Sequence, residues 1–526
     1  MTPDLVLAGG TVVDGTGAPG VVADVAIVDG RIAAIGPDLV GRETIDCAGH
    51  VVCPGFIDTH SHSDVKVLAE PTLPMKVRQG ITLEVFGQDG ISVAPVREDE
   101  RPQWKQKLSG LLGDFGVAWD WTDVGGYLAR VQAAAPAQDF AYLVPHGAIR
   151  QVAMGGDDRP ATADELARMQ ALLRDGMRQG GCGLSTGLIY PPCCYGSTDE
   201  LIALGRVLAE AGRALVVHMR SESDRIVDAV EEMLTVARRS GCAVQISHFK
   251  IAGRDNWPRA EELIARIERA RREGLAITAD QYPYVAGSTL LGAILPPWAH
   301  NGGTDATLAR LADAAQRARM RAQMADPAPA DWDNFWKWSG PEGIVLADVP
   351  SGRHAERLGQ SLAEAARAWG KDPFEAAFDL LLEVRMGVAM VSFSQDEAVV
   401  RRFLALPWVN ACTDGLLGGR PHPRAYGTYP RILGRYVRDE RVLPLEEAVR
   451  KLTSQAARAL GFAGHGVLSA GARANVVVFD PAAVADRATF EAPVQFPVGI
   501  RDVLVGGVPV VREERVTGER PGRLVS

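Results

Sequence analysis

Over about 400 residues in the middle of this chain, short apolar runs alternate with long amphipathic stretches, and that alternation limits what it can fold into. The strand-like runs are VVCPGFID, ITLEVFG, AYLVPHG, CGLSTG, ALVVHMR, AVQISHF, AITADQY, VAMVSFS and VNACTDG. Between them lie patterns such as ADELARMQALLRDGMRQG, TDELIALGRVLAEAG, RIVDAVEEMLTVARRSG and RAEELIARIERARREG. The last three of these carry apolar residues at i, i+3, i+4 and i+7 and stop at glycine. Repeated strand-then-helix units imply an α/β fold with a parallel sheet. Eight or nine strands suit a closed (β/α)8 barrel of the TIM type better than an open sheet. Chemistry in such a barrel sits at the C-terminal strand ends, where HSH, GQD, HMR, SHFK, DQY and TDG fall.

Both chain ends have a different grain. DLVLAGGTVVDG and VADVAIVDGRIAAIG at the start, with ANVVVFDP and IRDVLVGGVPVV near the end, read as short strands joined by glycine turns. The Trp- and Gly-rich stretch from about 290 to 345, with WAHNGG and DWDNFWKWSG, interrupts the alternation and reads as an insertion over the barrel mouth: a lid, or a surface subdomain with no part in chemistry. At 47% apolar and 23% charged residues the chain is a globular protein, and its net charge of −9 comes without a basic patch, so no nucleic-acid partner is expected. No apolar run reaches the ~18 residues of a membrane span. The N-terminus MTPDLVLAGG shows no signal-peptide pattern, so a cytoplasmic location is expected. The seven cysteines read as reduced thiols, not a disulfide framework. Oligomeric state is open, a homo-oligomer included.

His60 and His62 stand two apart after PGFID, so in an extended segment their imidazoles face one side. His218 ends one apolar run, His248 another, and Asp414 a third. Converging imidazoles and a carboxylate suit Zn²⁺ or a similar ion. A single such histidine is better read as a satisfied polar residue; the ordered set points to a metal.

PGFIDTHSHSD resembles the entry motif of the amidohydrolase superfamily. More narrowly, STGLIY, VVHMRSE, VQISHFK, ADQYPYVAGST, TDG and PHPRAYGTYPRILGRYVR, with the tail KLTSQAARALGF and GVLSAGARANVVVFDP, resemble the N-acyl-D-amino-acid deacylases over nearly the whole chain. The resemblance implies a barrel over residues 55–464 and a small β-sandwich from residues 1–54 and 465–526. It also implies metal ligation by His60, His62, His218 and His248, with Asp414 as a further ligand and as the general base that later protonates the leaving amine. Zinc is the implied cofactor, as one or two ions. One motif departs from the family: GQDG stands where GNCG, with a ligating cysteine, is usual. Asp89 is therefore the candidate anionic ligand, the alternative being a turn cap. Lysines are scarce, 8 against 48 arginines, and none lies between Lys107 and Lys250, so no mid-barrel lysine is present to bridge two metals. An oxygen donor in place of sulfur leans the preference toward Mn²⁺ or Co²⁺.

Tyr190 matches a family tyrosine that could steady an oxyanion; its other reading is a packed aromatic. Arg424, Tyr282 and Ser288 match positions beside the substrate carboxylate, Arg424 alternatively forming a structural salt bridge. Lys250 could meet an acidic substrate group. Arg220 and Glu222 read as a buried supporting pair, Asp58, Asp64 and Asp280 as residues that orient ligands, and His146 as a neighbour outside the ligand set. The expected activity is hydrolysis of a small-molecule amide, an N-acyl-D-amino acid. A cyclic amide or imide on the same fold is the alternative, and a non-catalytic binding barrel the other.

Overall fold

The computed structural model describes residues 2–526. Eight short strands follow one another in space in chain order: β1 (Phe56–Asp58), β2 (Ile81–Phe86), β3 (Asp139–Tyr142), β4 (Gly183–Gly187), β5 (Ala214–His218), β6 (Ala243–Ile246), β7 (Ile277–Gln281) and β8 (Val409–Ala411). β1, β2 and β3 pair in parallel. β3 resumes after Leu143 as Val144–Pro145, which pairs with β4, and β4 to β8 continue the parallel ladder. Just beyond the strand ends, a parallel bridge between Ser61 and Gly415 and a 2.9 Å bond from the Asp414 amide to the His60 carbonyl tie the last strand to the first. β2, β4 and β5 are buried at every residue, as a parallel ladder covered on both faces requires.

The helices fall where the periodicity predicts them. Ala163–Arg178 opens on a Thr162–Glu165 capping box, Thr198–Glu210 on Ser197, and Ile226–Ser240 closes on Gly241 at φ +78°. Among the described residues no helix is long and apolar enough to cross a membrane.

The chain ends build one nine-stranded sheet in which Val51–Pro54 pairs with Leu5–Val12 on one side and Val476–Phe479 on the other. The run VVCPGFID is thus two strands, one in each sheet. Gly55 is the joint: a Cβ there would lie 2.1 Å from Thr82 Oγ1. All seven cysteines are free thiols.

One expected barrel strand belongs elsewhere. VAMVSFS forms Ala389–Phe393, the centre of a three-stranded antiparallel sheet with Ala286–Leu290 and Ile344–Asp348. Apolarity marks a strand for burial without saying which sheet buries it. This strand is buried against the insertion's own core, around Leu346, Phe378, Leu381 and Met390. The layer therefore runs from 286 to 393, longer than the 290–345 stretch that composition picks out.

Candidate metal centre and active site

The residues of the ordered set arrive at one buried point from five different strand ends. His60 and His62 follow β1, Asp89 follows β2, His218 closes β5, His248 follows β6 and Asp414 follows β8. Asp89, His248 and Asp414 hold left-handed backbone, at φ +56°, +36° and +46°. That conformation is costly for side-chain-bearing residues and concentrates at functional sites. The Asp89 turn is wedged under its neighbours: a Cβ on Gly87 would meet the Leu143 carbonyl at 2.2 Å, and one on Gly90 would meet Cys193 Sγ at 2.6 Å. The two glycines of GQDG are therefore required by the packing.

Asp89 lies between two groups of imidazoles. Its Oδ2 is 3.5 Å from His62 Nε2, while its Oδ1 is 3.6 Å from His60 Nε2, 3.7 Å from His248 Nε2 and 3.8 Å from His218 Nδ1. Asp414 Oδ1 closes the first group, 3.2 Å from His62 Nε2 and 3.6 Å from His60 Nε2. The sets His60–Asp89–His248 and His60–His62–Asp414 each bring three donor atoms within 4.8 Å of one another. Both ring nitrogens of His60 and Asp89 Oδ1 are buried without a hydrogen-bond partner. Such orphaned atoms are costly unless something else engages them. Nitrogen and oxygen donors at these spacings fit a divalent cation.

The electrostatics favour anionic carboxylates. Burial alone would raise the Asp89 pKa, but His60, His248 and His218 hold it well below the usual range. Burial is likewise overcome at Asp414, chiefly by Arg424 and then by His248 and His60. Arg424 is fully buried; its Nη1 lies 2.7 Å from Asp414 Oδ2 and its Nη2 donates to the Ser288 carbonyl at 3.0 Å. Its guanidinium also lies 4.3 Å from the centre of the Tyr282 ring.

Lys250 Nζ is 2.5 Å from Glu222 Oε1 and 2.7 Å from His248 Nδ1. Tyr190 donates to or accepts from Thr289 Oγ1 at 2.7 Å, with its ring 5.1 Å from that of His218. Ser288 Oγ is buried with no partner. Tyr190, Lys250, Tyr282 and Ser288, with Asp89 and Asp414, all line one cavity of about 30 Å³, roofed by Phe335 and Trp338 of the insertion.

The expected Arg220–Glu222 pair does not form. Arg220 turns outward to Glu232 at 3.0 Å, on the following helix, while Glu222 turns inward to Lys250 and to His248 Nδ1 at 3.0 Å. Two residues apart in a loop, the side chains part toward different partners. Asp64 and Asp280 hold the Asp89 and His248 loops through their backbone: Asp64 accepts from the Gly87 amide at 2.9 Å and Asp280 from the His248 amide at 2.5 Å. Asp58 accepts from the Thr413 amide at 2.8 Å, one residue before Asp414. His146 stands apart on Thr186 and Glu200, at 2.8 Å each.

Sequence reasoning missed Lys76. Fully buried below the site, it pairs with Asp58 at 2.8 Å and Glu84 at 2.9 Å and donates to Thr413 Oγ1 at 2.8 Å. It thereby ties the segments that carry His60 and Asp414. Its signal was a lysine, one of only eight, in a chain that mostly uses arginine.

Residues 43–511 match the model described as "Amidohydrolase family". The D-aminoacylase of Alcaligenes xylosoxydans xylosoxydans is 36% identical, over 99% of this chain and 97% of that protein. The N-acyl-D-glutamate deacylase of the same organism is 38% identical, over 99% and 96%. The crystal structure of N-acyl-D-glutamate deacylase from Bordetella bronchiseptica, complexed with zinc and a phosphonate mimic of the tetrahedral intermediate, superposes with a TM-score of 0.84 at 36% identity, covering all of both chains. With a site of this make-up and likeness along its whole length, the chain belongs to the amidohydrolase family.

Proposed function

We propose that this protein is a metal-dependent hydrolase of N-acyl-D-amino acids, releasing a carboxylate and a free D-amino acid. The observation that carries the reading is the buried set His60, His62, Asp89, His218, His248 and Asp414, with orphaned donor atoms facing one another. The D-amino-acid deacylases to which the chain is similar supply the substrate class. The eight strands form a (β/α)8 barrel over residues 55–464. The terminal segments, 1–54 and 465–526, form a β-sandwich beside it.

His60, His62, Asp89, His218 and His248 would hold zinc as one or two ions, with Asp414 alongside. A zinc, manganese or cobalt ion bound there lowers the pKa of water and polarises the amide carbonyl. Asp414 accepts the proton of the attacking water at Oδ1 and returns it to the departing nitrogen. Arg424 keeps Asp414 ionised until then. The Tyr190 phenol donates to the developing oxyanion. Lys250, Tyr282, Ser288 and Arg424 take the substrate carboxylate, Arg424 being shared between it and Asp414.

The test is amine release from paired N-acetyl-D- and N-acetyl-L-amino acids, with Zn²⁺, Mn²⁺ and Co²⁺ supplied separately. Release from the D series alone is expected. No release from either series, with metal bound, would overturn the reading.

A further inference from the structure

The 30 Å³ pocket has a larger neighbour. A second cavity, of about 270 Å³, shares Tyr190 and Phe335 with it. Those two residues stand between them. Much of its wall is hydrocarbon, from Ile91, Leu188, Leu290, Ala293, Leu295 and Met386. Ile91 stands two residues after Asp89, so the cavity leaves the centre from its Asp89 and Tyr190 edge.

Most of the polar groups deep in this space are already engaged. Arg220 is held by Glu232 at 3.0 Å and by the Cys194 and Gly196 carbonyls. Asp333 accepts from Ser221 and Ser223 at 2.7 Å each. Lys107 donates to the Pro191 carbonyl at 2.9 Å and lies 4.9 Å from the centre of the Trp104 ring. Asp158 and Asp331 are exposed and mark the outer end, where a second substrate carboxylate would be repelled. What remains for a ligand is apolar burial.

We propose that this cavity is the acyl-chain site, and that the preferred substrates carry a medium-chain alkanoyl group. The inference rests on the deacylase reading and deepens it. Lys250, Tyr282 and Ser288 all line the small pocket, so the amino-acid half, with its carboxylate, belongs there. The acyl half lies across the reacting carbonyl, on the Tyr190 and Ile91 side. An apolar cavity of about 150 Å³ accepts benzene, so this one takes a chain of roughly eight carbons.

The experiment is a series of N-acyl derivatives of one D-amino acid, from acetyl to dodecanoyl, with kcat/KM measured on the metal-loaded enzyme. In parallel, binding of the free alkanoates, acetate to dodecanoate, is measured by calorimetry. Both should rise by about fourfold per added methylene up to about eight carbons and then fall, the worth of one buried CH₂. In the folded variant Ala293→Phe, which fills the cavity, the octanoyl-to-acetyl ratio of kcat/KM should drop at least tenfold. Hydrolysis that is flat, or falls from acetyl onward, overturns the acyl site and leaves the deacylase reading standing. Length-dependent alkanoate binding without hydrolysis of any D-amide overturns the deacylase reading and keeps the apolar site. An unchanged ratio in Ala293→Phe overturns the location.

Discussion

Asp89 is the residue whose two oxygens face different imidazoles, and the proposed metal binding is tested most directly there. Asp89→Asn keeps the shape and removes the charge, so bound metal measured by mass spectrometry should fall at least tenfold. Asp89→Cys restores a soft anionic donor and should move the preference toward Zn²⁺ over Mn²⁺. Equal Mn²⁺ and Zn²⁺ retention in both variants would remove Asp89 from the ligand set. Arg424 poses a second question at this scale. Arg424→Gln leaves Asp414 buried without its cation, which costs about 3 kcal/mol or more. Asp414 is depressed in the folded protein, so its contribution is present above the unfolded carboxylate pKa and is lost as pH falls through the folded value. Removing Arg424 raises that folded value, so the acidic limb of kcat/KM should move to higher pH. An unmoved limb would detach Arg424 from the base. The sequence made Asp89 and Asp414 legible because each follows an apolar run, and Arg424 through the family resemblance of its motif. It could not show that Arg424 touches Asp414, or that Glu222 and Arg220 part company, because rotamer choice in a loop follows neighbours far away in the chain.

The insertion is the element that covers the small cavity, through Phe335 and Trp338. Its residue Asp333 reaches into the loop after β5, accepting from Ser221, Ser223 and the Glu222 amide at 2.9 Å, while Lys337 pairs with Asp224 at 2.7 Å. Burial first, and then the nearby Glu222 charge, raise the Asp333 pKa to about 7. A raised carboxyl contributes stability that is fully present below its unfolded pKa and is lost as pH rises to the folded value. Wild type should therefore lose stability between pH 5 and 8 relative to Asp333→Asn, which is neutral throughout, by about 2 kcal/mol. Paired melting curves at the two pH values check this; a constant gap would mean that Asp333 is ionised in both. Composition flagged this element through its tryptophans and glycines. The strand Ala389–Phe393 was illegible as part of it, since an apolar five-residue run looks alike in a parallel ladder and an antiparallel one.

For the molecule as a whole, Asp139 at the start of β3 is where distant parts of the chain meet. Its fully buried carboxylate accepts from Arg473 at 2.8 and 2.9 Å, from Asn475 at 2.8 Å and from the Arg523 amide at 3.0 Å. Phe140 then exchanges backbone bonds with the tail, its amide donating to the Arg523 carbonyl at 3.0 Å and its carbonyl accepting from Val525 at 2.8 Å. The ladder that carries Asp89 and His218 is thus clamped at its base to the terminal sheet and to the final residues. Arg473→Met should cost about 3 kcal/mol, because it strands part of a buried carboxylate. Asp139→Asn combined with Arg473→Met should recover a portion of that loss in a double-mutant cycle. Because the clamp is far from the chemistry in its contacts, kcat at 25 °C in the folded fraction should stay within about twofold while the melting temperature falls. A large loss of kcat with an unchanged melting temperature would reverse the assignment, placing the clamp in the alignment of the strand ends and not in holding the sheets together.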